Sequence, residues 1–214
     1  MVERTPIGMD DILKDIIVPD IGCALIDLKE KEVAQEDLFA DKQRKSWDKS
    51  MEARCDFQRK IRLTRRGGVF FFSIWQKSLM GRTLTEIKGD DKMIDFFAEE
   101  VGSFAKEVIG NNLDKGDWCI ITTPKRRHTV RNFATCISMK MAQMLRIPFY
   151  EDVCSCHTRQ RVNAIFDVNV IPKENNIIVF DDFVTTGSTL GAMFRAFEPY
   201  SKNMVFFVGI NNKL

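Results

Sequence analysis

Residues 177–190 read IIVFDDFVTTGSTL and carry the clearest structural pattern in this sequence. The run 177–180 is apolar and contains three β-branched residues, which is typical of a buried parallel strand. Two carboxylates, Asp181 and Asp182, come next, followed by a turn of small hydroxyl residues around Gly187. Apolar residues then recur at helical spacing, so the turn is predicted to open a helix. These apolar residues are Leu190, Met193, Phe194 and Phe197.

The order of strand, acids, glycine turn and helix predicts a site for a sugar phosphate. In an open α/β sheet, ligands bind beyond the carboxyl ends of the strands, and a helix N-terminus attracts phosphate. Gly187 lets the backbone approach the ligand closely and adopt unusual φ and ψ angles. Asp181 and Asp182 would repel phosphate, so they suit sugar hydroxyls or a Mg²⁺ ion held between ligand oxygens. Because side chains alternate along a strand, we expect both acids to reach one sugar only if the strand ends before them.

Residues 177–189 closely resemble the phosphoribosyl pyrophosphate (PRPP) motif of type I phosphoribosyltransferases. That motif has an apolar strand, two acids, two further residues and a Thr-Thr-Gly-Ser-Thr loop. The resemblance implies that Asp181 and Asp182 hold the ribose 2′- and 3′-hydroxyls and that the following loop cradles the 5′-phosphate. The alternative is an ordinary strand–loop–helix with a polar cap, which rarely carries two acids and five small residues in this order. The implied loop residues are Val184, Thr185, Thr186, Gly187, Ser188 and Thr189.

A chain of 214 residues, 44% of them hydrophobic, is long enough for one domain with a sizeable core. The resemblance implies an α/β fold, in which a type I phosphoribosyltransferase-like parallel sheet is flanked by helices. We predict an N-terminal α+β extension or hood at residues 1–90 and the phosphoribosyltransferase-like core at residues 91–214. Further strands are predicted at residues 69–75, 118–122, 147–150 and 204–210, and helices at residues 91–109 and 133–145.

A second anion site is predicted directly after the strand at residues 118–122, where the sequence reads TPKRRH. This site lies beside the first one if the two strands are neighbours, because the carboxyl ends of parallel strands meet at one edge of the sheet. The resemblance implies that this loop binds pyrophosphate, with Thr123, Lys125 and Arg126 among the PRPP-binding residues. The alternative interpretation is a basic surface cluster next to a helix.

Residues 151–169 occupy the position of the family's mobile catalytic loop, and Arg159 and Arg161 are its cations. In the family, such a loop folds over the reacting ligand and excludes water, which strengthens the charge interactions inside the site. An exposed basic loop or hairpin is the other interpretation, and the sequence favours neither of the two.

Three short segments resemble the ComF-like branch of the family more narrowly. They read RRH at 126–128, RNF at 131–133 and RVNAIF at 161–166. That branch carries an Arg-Gly-Phe-Asn box after its pyrophosphate loop, and the corresponding box here reads Arg-Asn-Phe-Ala. Because this box differs, the resemblance to the ComF-like branch is weaker than the resemblance to the family.

The resemblance implies a Mg²⁺-dependent phosphoribosyltransferase that transfers ribose 5-phosphate from PRPP to an unidentified nitrogen acceptor and releases pyrophosphate. Thr185 stands where enzymes for 6-oxopurines carry an aspartate, which argues against hypoxanthine-type transfer. One alternative is a non-catalytic regulatory protein that senses PRPP or a nucleotide, and another is a ComF-like accessory protein in DNA uptake or handling. The expected catalytic residues are Asp181, Asp182, Arg159 and Arg161.

Residues 42–66 are the basic part of the chain, with acids and aromatic residues interleaved. A weak contact with nucleic acid through this segment is one interpretation. A solvated helix face with internal ion pairs is the favoured one, because the acids dilute the positive field and the net charge is only +2. The other expected partners are PRPP with pyrophosphate, or a ribose 5-phosphate nucleotide, and a second copy of the chain in a homodimer.

The six cysteines show no disulfide-framework spacing, and the sequence contains neither a secretory signal nor a membrane-length apolar run. We therefore expect a reduced, cytoplasmic protein without a membrane partner. Cys154, Cys156 and His157 lie within four residues, but their spacing is unlike that of common zinc motifs. Mg²⁺ is accordingly the expected cofactor, and a metal site at the two cysteines is the less favoured interpretation.

Overall fold

The computed structural model describes residues 53–124, 132–156 and 165–212, which belong to the compact unit Lys49–Leu214. The helices in these ranges are α1 (Leu84–Gly89), α2 (Lys92–Ile109), α3 (Phe133–Leu145) and α4 (Ser188–Phe197). The strands in these ranges are β1 (Arg54–Cys55), β2 (Arg62–Arg66), β3 (Val69–Gln76), β4 (Arg82–Thr83), β5 (Trp118–Thr122), β6 (Phe149–Tyr150), β7 (Cys154–Cys156), β8 (Phe166–Val168), β9 (Asn176–Val184) and β10 (Asn203–Asn211).

The central sheet has six strands in the order β2, β3, β10, β9, β5 and β6. The last five of these run parallel, and β2 joins the edge as an antiparallel strand. Within the described ranges, β1 pairs with β4 and β7 pairs with β8 in two small antiparallel sheets. The predicted α/β fold with a mainly parallel sheet is confirmed, and the two strands that precede the predicted anion sites, β5 and β9, are neighbours.

Strand β9 lies at the centre of the core because its apolar residues pack on both faces of the sheet. Ile178 and Phe180 belong to the core shared with α2 and α3, whereas Ile177 and Val179 belong to the core shared with α4 and the β7–β8 pair. All four side chains are fully buried. A sheet covered on both faces requires apolar residues at every position, which explains the uninterrupted apolar run.

Most of the predicted secondary structure is confirmed. The elements β3, β5, β10, α2 and α3 match the predictions to within two residues, and β6 forms the end of the strand predicted at residues 147–150. Helix α4 begins where expected and buries Leu190, Met193 and Phe197. Phe194, however, is 42% exposed. In the described part of the chain, no helix is both long and apolar enough to cross a bilayer.

The basic stretch is a strand rather than a helix at residues 62–66, so the predicted solvated helix face is wrong there. Gly67 and Gly68 both have positive φ angles, of 60° and 86°, as a two-residue hairpin turn requires. Pairing with β3 then holds these residues extended. The predictions for residues 1–52 lie outside the described residues. Although β2 and β3 share a sheet with the core strands, the predicted domain division at residue 90 stays a prediction.

Candidate functional site

The acid pair lies at the level where β9 continues beyond one of its two neighbours. Strand β5 pairs with β9 only as far as Thr122 and Phe180, whereas β10 stays paired with β9 up to Val184. The expectation that the strand ends before the acids is therefore wrong, because pairing with β10 keeps the backbone extended through Asp181 and Asp182. On the other side of β9, strand β5 ends at Thr122, so the acids lie beside the carboxyl end of β5, where ligands bind in open α/β sheets.

Asp181 and Asp182 nevertheless belong to one hydrogen-bonded cluster, so the extended backbone does not keep the two acidic side chains apart, contrary to the alternation expected from the sequence. Thr123, the first residue after β5, donates its hydroxyl to Asp181 Oδ1 at 3.3 Å, and the two acidic side chains share a hydrogen bond. Asp182 Oδ2 lies 2.6 Å from Nζ of Lys88, and the Asp182 side chain is only 11% exposed. The structure thus brings together three of the predicted site residues and adds a lysine that the sequence patterns did not indicate.

The environment of Asp181 favours its neutral form. Burial, and then the neighbouring Asp182 carboxylate, raise the pKa of Asp181 to about 8. The Lys88 ammonium and the hydrogen bond from Thr123 act in the opposite direction but do not compensate. Asp181 therefore favours its protonated form at neutral pH, beside the Asp182 carboxylate that pairs with Lys88. A ligand that donates hydroxyl hydrogen bonds, or brings a cation, can stabilise such a pair.

The turn between β9 and α4 is built around Gly187 and hydrogen bonds between its hydroxyl residues. Gly187 is the N-cap residue of α4 and has a φ of 76° and a ψ of 4°, so the expected unusual backbone angles are present. Thr186 and Ser188 hydrogen-bond through their hydroxyls at 3.0 Å, and the Ser188 backbone N–H donates to Thr186 Oγ1 at 3.3 Å. Val184 anchors the start of the turn in the core, whereas Thr186 is exposed. Thr186 is therefore the exposed hydroxyl residue of the turn, while Thr185, Ser188 and Thr189 are half-buried.

The hairpin turn between β2 and β3 packs directly against this turn. Arg66 Nη1 donates to the Thr185 carbonyl oxygen at 3.0 Å. A Cβ atom on Gly67 would lie 2.1 Å from the Gly187 carbonyl oxygen, and one on Gly191 would lie 2.0 Å from the Gly67 carbonyl oxygen. Only glycine permits this backbone contact. The sequence indicated the hairpin turn through its two glycines but gave no sign that it supports the candidate phosphate loop.

Several predicted site residues lie outside the described ranges. They are the loop cations Lys125, Arg126, Arg159 and Arg161, together with His157. Cys154 and Cys156 lie on β7, and no disulfide links the cysteines of the described ranges. Burial raises the pKa of the Cys154 thiol to about 12, which disfavours the thiolate that metals bind.

The acid pair fits a Mg²⁺ ion that is shared with a ligand. Carboxylate oxygens are preferred Mg²⁺ ligands, and the ion is usually held by one or two carboxylates together with substrate phosphates. Asp181 and Asp182 supply the carboxylates, and Thr123 adds a hydroxyl beside them. Among the residues that the structure describes, no group of three or more His, Cys, Asp or Glu side chains could hold a metal alone. The ligand would therefore have to complete the coordination.

The described structure is similar to solved structures of phosphoribosyltransferases. Orotate phosphoribosyltransferase from Aeropyrum pernix matches with a TM-score of 0.44 and 14% identity, over 78% of this chain and 80% of that one. Adenine phosphoribosyltransferase from Saccharomyces cerevisiae, solved with D-2,5-dideoxy-2,5-imino-altritol 1,6-bisphosphate and adenine, matches at 0.42 and 13%, over 73% and 86%. A hypoxanthine-guanine phosphoribosyltransferase from Bacillus anthracis matches at 0.42 and 15%, over 56% and 79%.

No protein-family model matches the chain, and no curated protein matches it. Because the three structural TM-scores lie below 0.5, these similarities carry no conclusion about the substrate or the site residues of this chain. The resemblance to the ComF-like branch stays a prediction. What the site does must follow from its own side chains.

Proposed function

We propose that the chain is a phosphoribosyltransferase that takes ribose 5-phosphate from PRPP, transfers it to a nitrogen acceptor and releases pyrophosphate. One observation carries this proposal: the hydrogen-bonded pair Asp181 and Asp182 lies in the last four residues of β9, and the hydroxyl-rich turn that opens α4 follows that strand. A phosphorylated pentose carries both hydroxyls, which suit the acids, and a phosphate, which suits the turn. No nucleophilic side chain is needed for this reaction, because positioning and charge supply the catalysis.

Each part of the cluster has a role in this proposal. Asp181 and Asp182 accept hydrogen bonds from the ribose 2′- and 3′-hydroxyls, and Thr123 orients Asp181. The turn at residues 184–189 binds the 5′-phosphate through backbone N–H groups and hydroxyls at the N-terminus of α4. The pyrophosphate takes its charge partners from the loop residues Lys125, Arg126, Arg159 and Arg161.

The reaction breaks one bond at C1 of the ribose and forms another. The C1–O bond to pyrophosphate breaks, and its electron pair leaves with the pyrophosphate. The lone pair of the acceptor nitrogen forms the new N–C1 bond, and the nitrogen then loses its proton to solvent. Positive charge develops on the ribose in between, and the negative charge of the acid pair below it stabilises that charge.

A Mg²⁺ ion, when bound, would supply positive charge that offsets the negative charge of the leaving pyrophosphate. Asp181 and Asp182 are the residues that would hold it, together with oxygens of the ligand. The chain's own residues still determine where the ribose lies, because the acids and the turn bind opposite ends of it.

The proposal is tested by thermal unfolding with PRPP and MgCl₂. At a ligand concentration of about one hundred times Kd, stability rises by about 2.7 kcal/mol, which is a readily measured rise in Tm. We expect Asp181→Asn combined with Asp182→Asn to abolish this rise. The control is Asp95→Asn combined with Asp114→Asn, which also removes two carboxylates but from the exposed surface. A rise that persists in the first double variant would exclude the acid pair from the site.

Pyrophosphate release from PRPP, screened across nucleobases and amines, then separates an enzyme from a sensor. Release with one acceptor identifies the substrate. A ligand-induced rise in Tm without release for any acceptor would favour the alternative of a PRPP- or nucleotide-sensing protein.

We further propose that the protein belongs to the ComF-like branch, is cytoplasmic and forms a homodimer. Residues 42–66 would make a weak contact with nucleic acid. Sedimentation velocity measures the oligomeric state. Phosphate contacts make nucleic-acid affinity fall steeply with salt, so a salt-independent affinity would contradict the proposed contact.

A further inference from the structure

The Lys88 side chain forms an ion pair with Asp182, although Lys88 lies outside the predicted motifs. Among the described residues, no other side chain outside these motifs is seen to do so. The Lys88 Nζ lies 2.6 Å from Asp182 Oδ2. The Lys88 side chain is 41% exposed, whereas that of Asp182 is 11% exposed. The Asp182 carboxylate is thus mostly buried, and the Lys88 ammonium pairs with it from a more exposed position.

Helix α1 holds the backbone of Lys88 firmly at this place. Thr83 and Glu86 form a capping box at its N-terminus, and Arg82 bonds both to Asp90 Oδ2 at 2.9 Å and to the Glu86 carbonyl oxygen at 3.1 Å. Ile87, the residue before the lysine, is fully buried. The Cα position of Lys88 is therefore set by the fold, while its long side chain can move its ammonium by several ångströms without any change in the helix.

The Lys88 ammonium pairs with the Asp182 carboxylate. In the proposed function, this carboxylate accepts a hydrogen bond from a ribose hydroxyl. A ribose hydroxyl that binds Asp182 Oδ2 therefore competes with the Lys88 ammonium for that oxygen. In PRPP, the pyrophosphate on C1 is adjacent to the C2 hydroxyl, so a displaced ammonium meets a new anion at close range. Ribose 5-phosphate has only a hydroxyl at C1, so the same displacement gives the ammonium no new partner.

We propose that Lys88 exchanges partners during ligand binding, leaving Asp182 for the pyrophosphate group of PRPP. This inference rests on the proposed function and adds a pyrophosphate-binding residue on α1 to it. It also makes the site selective, because a ligand without an anion at C1 must displace the ammonium without compensation. Lys88 thus favours PRPP over ribose 5-phosphate.

The test is to measure the dissociation constants of PRPP and ribose 5-phosphate in MgCl₂ by titration calorimetry for the wild type and Lys88→Met. A charge-assisted hydrogen bond is lost from PRPP, so we expect its binding to weaken about tenfold. Ribose 5-phosphate no longer competes with an ammonium, so we expect its binding to tighten about threefold. Lys88→Gln should give the same opposed changes and serves if the methionine variant does not fold.

The control is Lys92→Met, which removes an exposed ammonium from the first turn of α2 on the neighbouring helix. We expect the ratio of the two dissociation constants to stay at the wild-type value in this variant. A change of the same sign and size for both ligands in Lys88→Met would overturn the partner exchange and leave the proposed function intact. A wild type that binds neither ligand would overturn the proposed function and this inference with it.

Discussion

Two turns meet at the candidate site, and the sequence encodes them in different ways. The turn between β9 and α4 follows its own strand and acids within residues 177–190, so its chemistry is readable from one segment. The turn between β2 and β3 contributes a guanidinium and a glycine from a distant part of the chain: Arg66 precedes the residue that it bonds by 119 positions. The comparison shows that the ligand-binding chemistry is local, whereas the support that holds it in place comes from elsewhere.

The strongest way to break this comparison is to remove the support by substituting Gly67. Its φ is 60°, and a Cβ atom there would lie 2.1 Å from the Gly187 carbonyl oxygen. Gly67→Ala must therefore separate the two turns. We expect a loss of about 3 kcal/mol or more in the free energy of unfolding, measured in urea, together with loss of the PRPP-induced rise in Tm.

Gly68→Ala is the matched control for this substitution. Gly68 also has a positive φ, of 86°, but a Cβ atom there would meet nothing within 4 Å. We expect only the backbone penalty of about 1 kcal/mol and an unchanged response to PRPP. Equal losses in the two variants would mean that hairpin strain alone matters and that the contact between the turns does not.

The second prediction concerns Asp181, on the strand that leads into the turn between β9 and α4. Here the substitution is expected to raise the free energy of unfolding. The pKa of Asp181 is raised to about 8, so the folded protein keeps a proton that the unfolded chain releases above its ordinary pKa near 4. The stability of the unliganded protein therefore falls as the pH rises from about 4 to about 8. We expect Asp181→Asn to be more stable than the wild type by about 2 kcal/mol at pH 8, and by little at pH 4.5.

Urea unfolding at several pH values in EDTA measures this difference, because EDTA keeps metal from stabilising the wild type. Asp114→Asn serves as the control, since it makes the same substitution at an exposed position outside the acid pair. A difference for Asp181→Asn that stayed constant between pH 4.5 and pH 8 would show that the acid pair shares no proton. Greater stability combined with lost ligand binding is the pattern expected of a residue retained for function.

The elements of the fold were predictable where the pattern is short-range. Uninterrupted apolar residues marked β9, and apolar residues at helical spacing marked α2 and α4, because burial on two faces or one face leaves a direct trace in the sequence. The length of β9 was not predictable in this way. It continues through Asp182 because β10, which follows later in the chain, remains paired to it there.

The residues of the candidate site also differ in whether the local sequence indicates them. The acids, Thr123 and the Gly187 turn were predictable, because charge and conformational freedom are properties of the residues themselves. Lys88 and Arg66 were not, because an isolated cation on a helix or strand looks the same in sequence whether it faces solvent or a carboxylate. Only the topology brings α1 and the β2–β3 hairpin to this edge of the sheet.

The smallest of the three expected effects on stability comes from substituting Arg66. This substitution tests a single hydrogen bond between the two turns. Arg66 Nη1 donates to the Thr185 carbonyl oxygen at 3.0 Å. In Arg66→Met this hydrogen bond is lost, and we expect the free energy of unfolding to fall by about 1 kcal/mol. Because the turn is then less firmly held, ribose 5-phosphate should bind about fivefold more weakly by calorimetry.

The neighbouring Arg65 supplies a control with a similar effect on stability and a different effect on the ligand. Its guanidinium lies 5.4 Å from the centre of the Phe70 ring, a contact that contributes about 0.5–1 kcal/mol. Arg65→Met should therefore lower stability nearly as much as Arg66→Met and leave the affinity for ribose 5-phosphate unchanged. If both variants weakened binding equally, the loss would follow from general destabilisation of the hairpin. If only Arg66→Met weakens it, a single hydrogen bond from the distant turn holds the phosphate loop in its binding conformation.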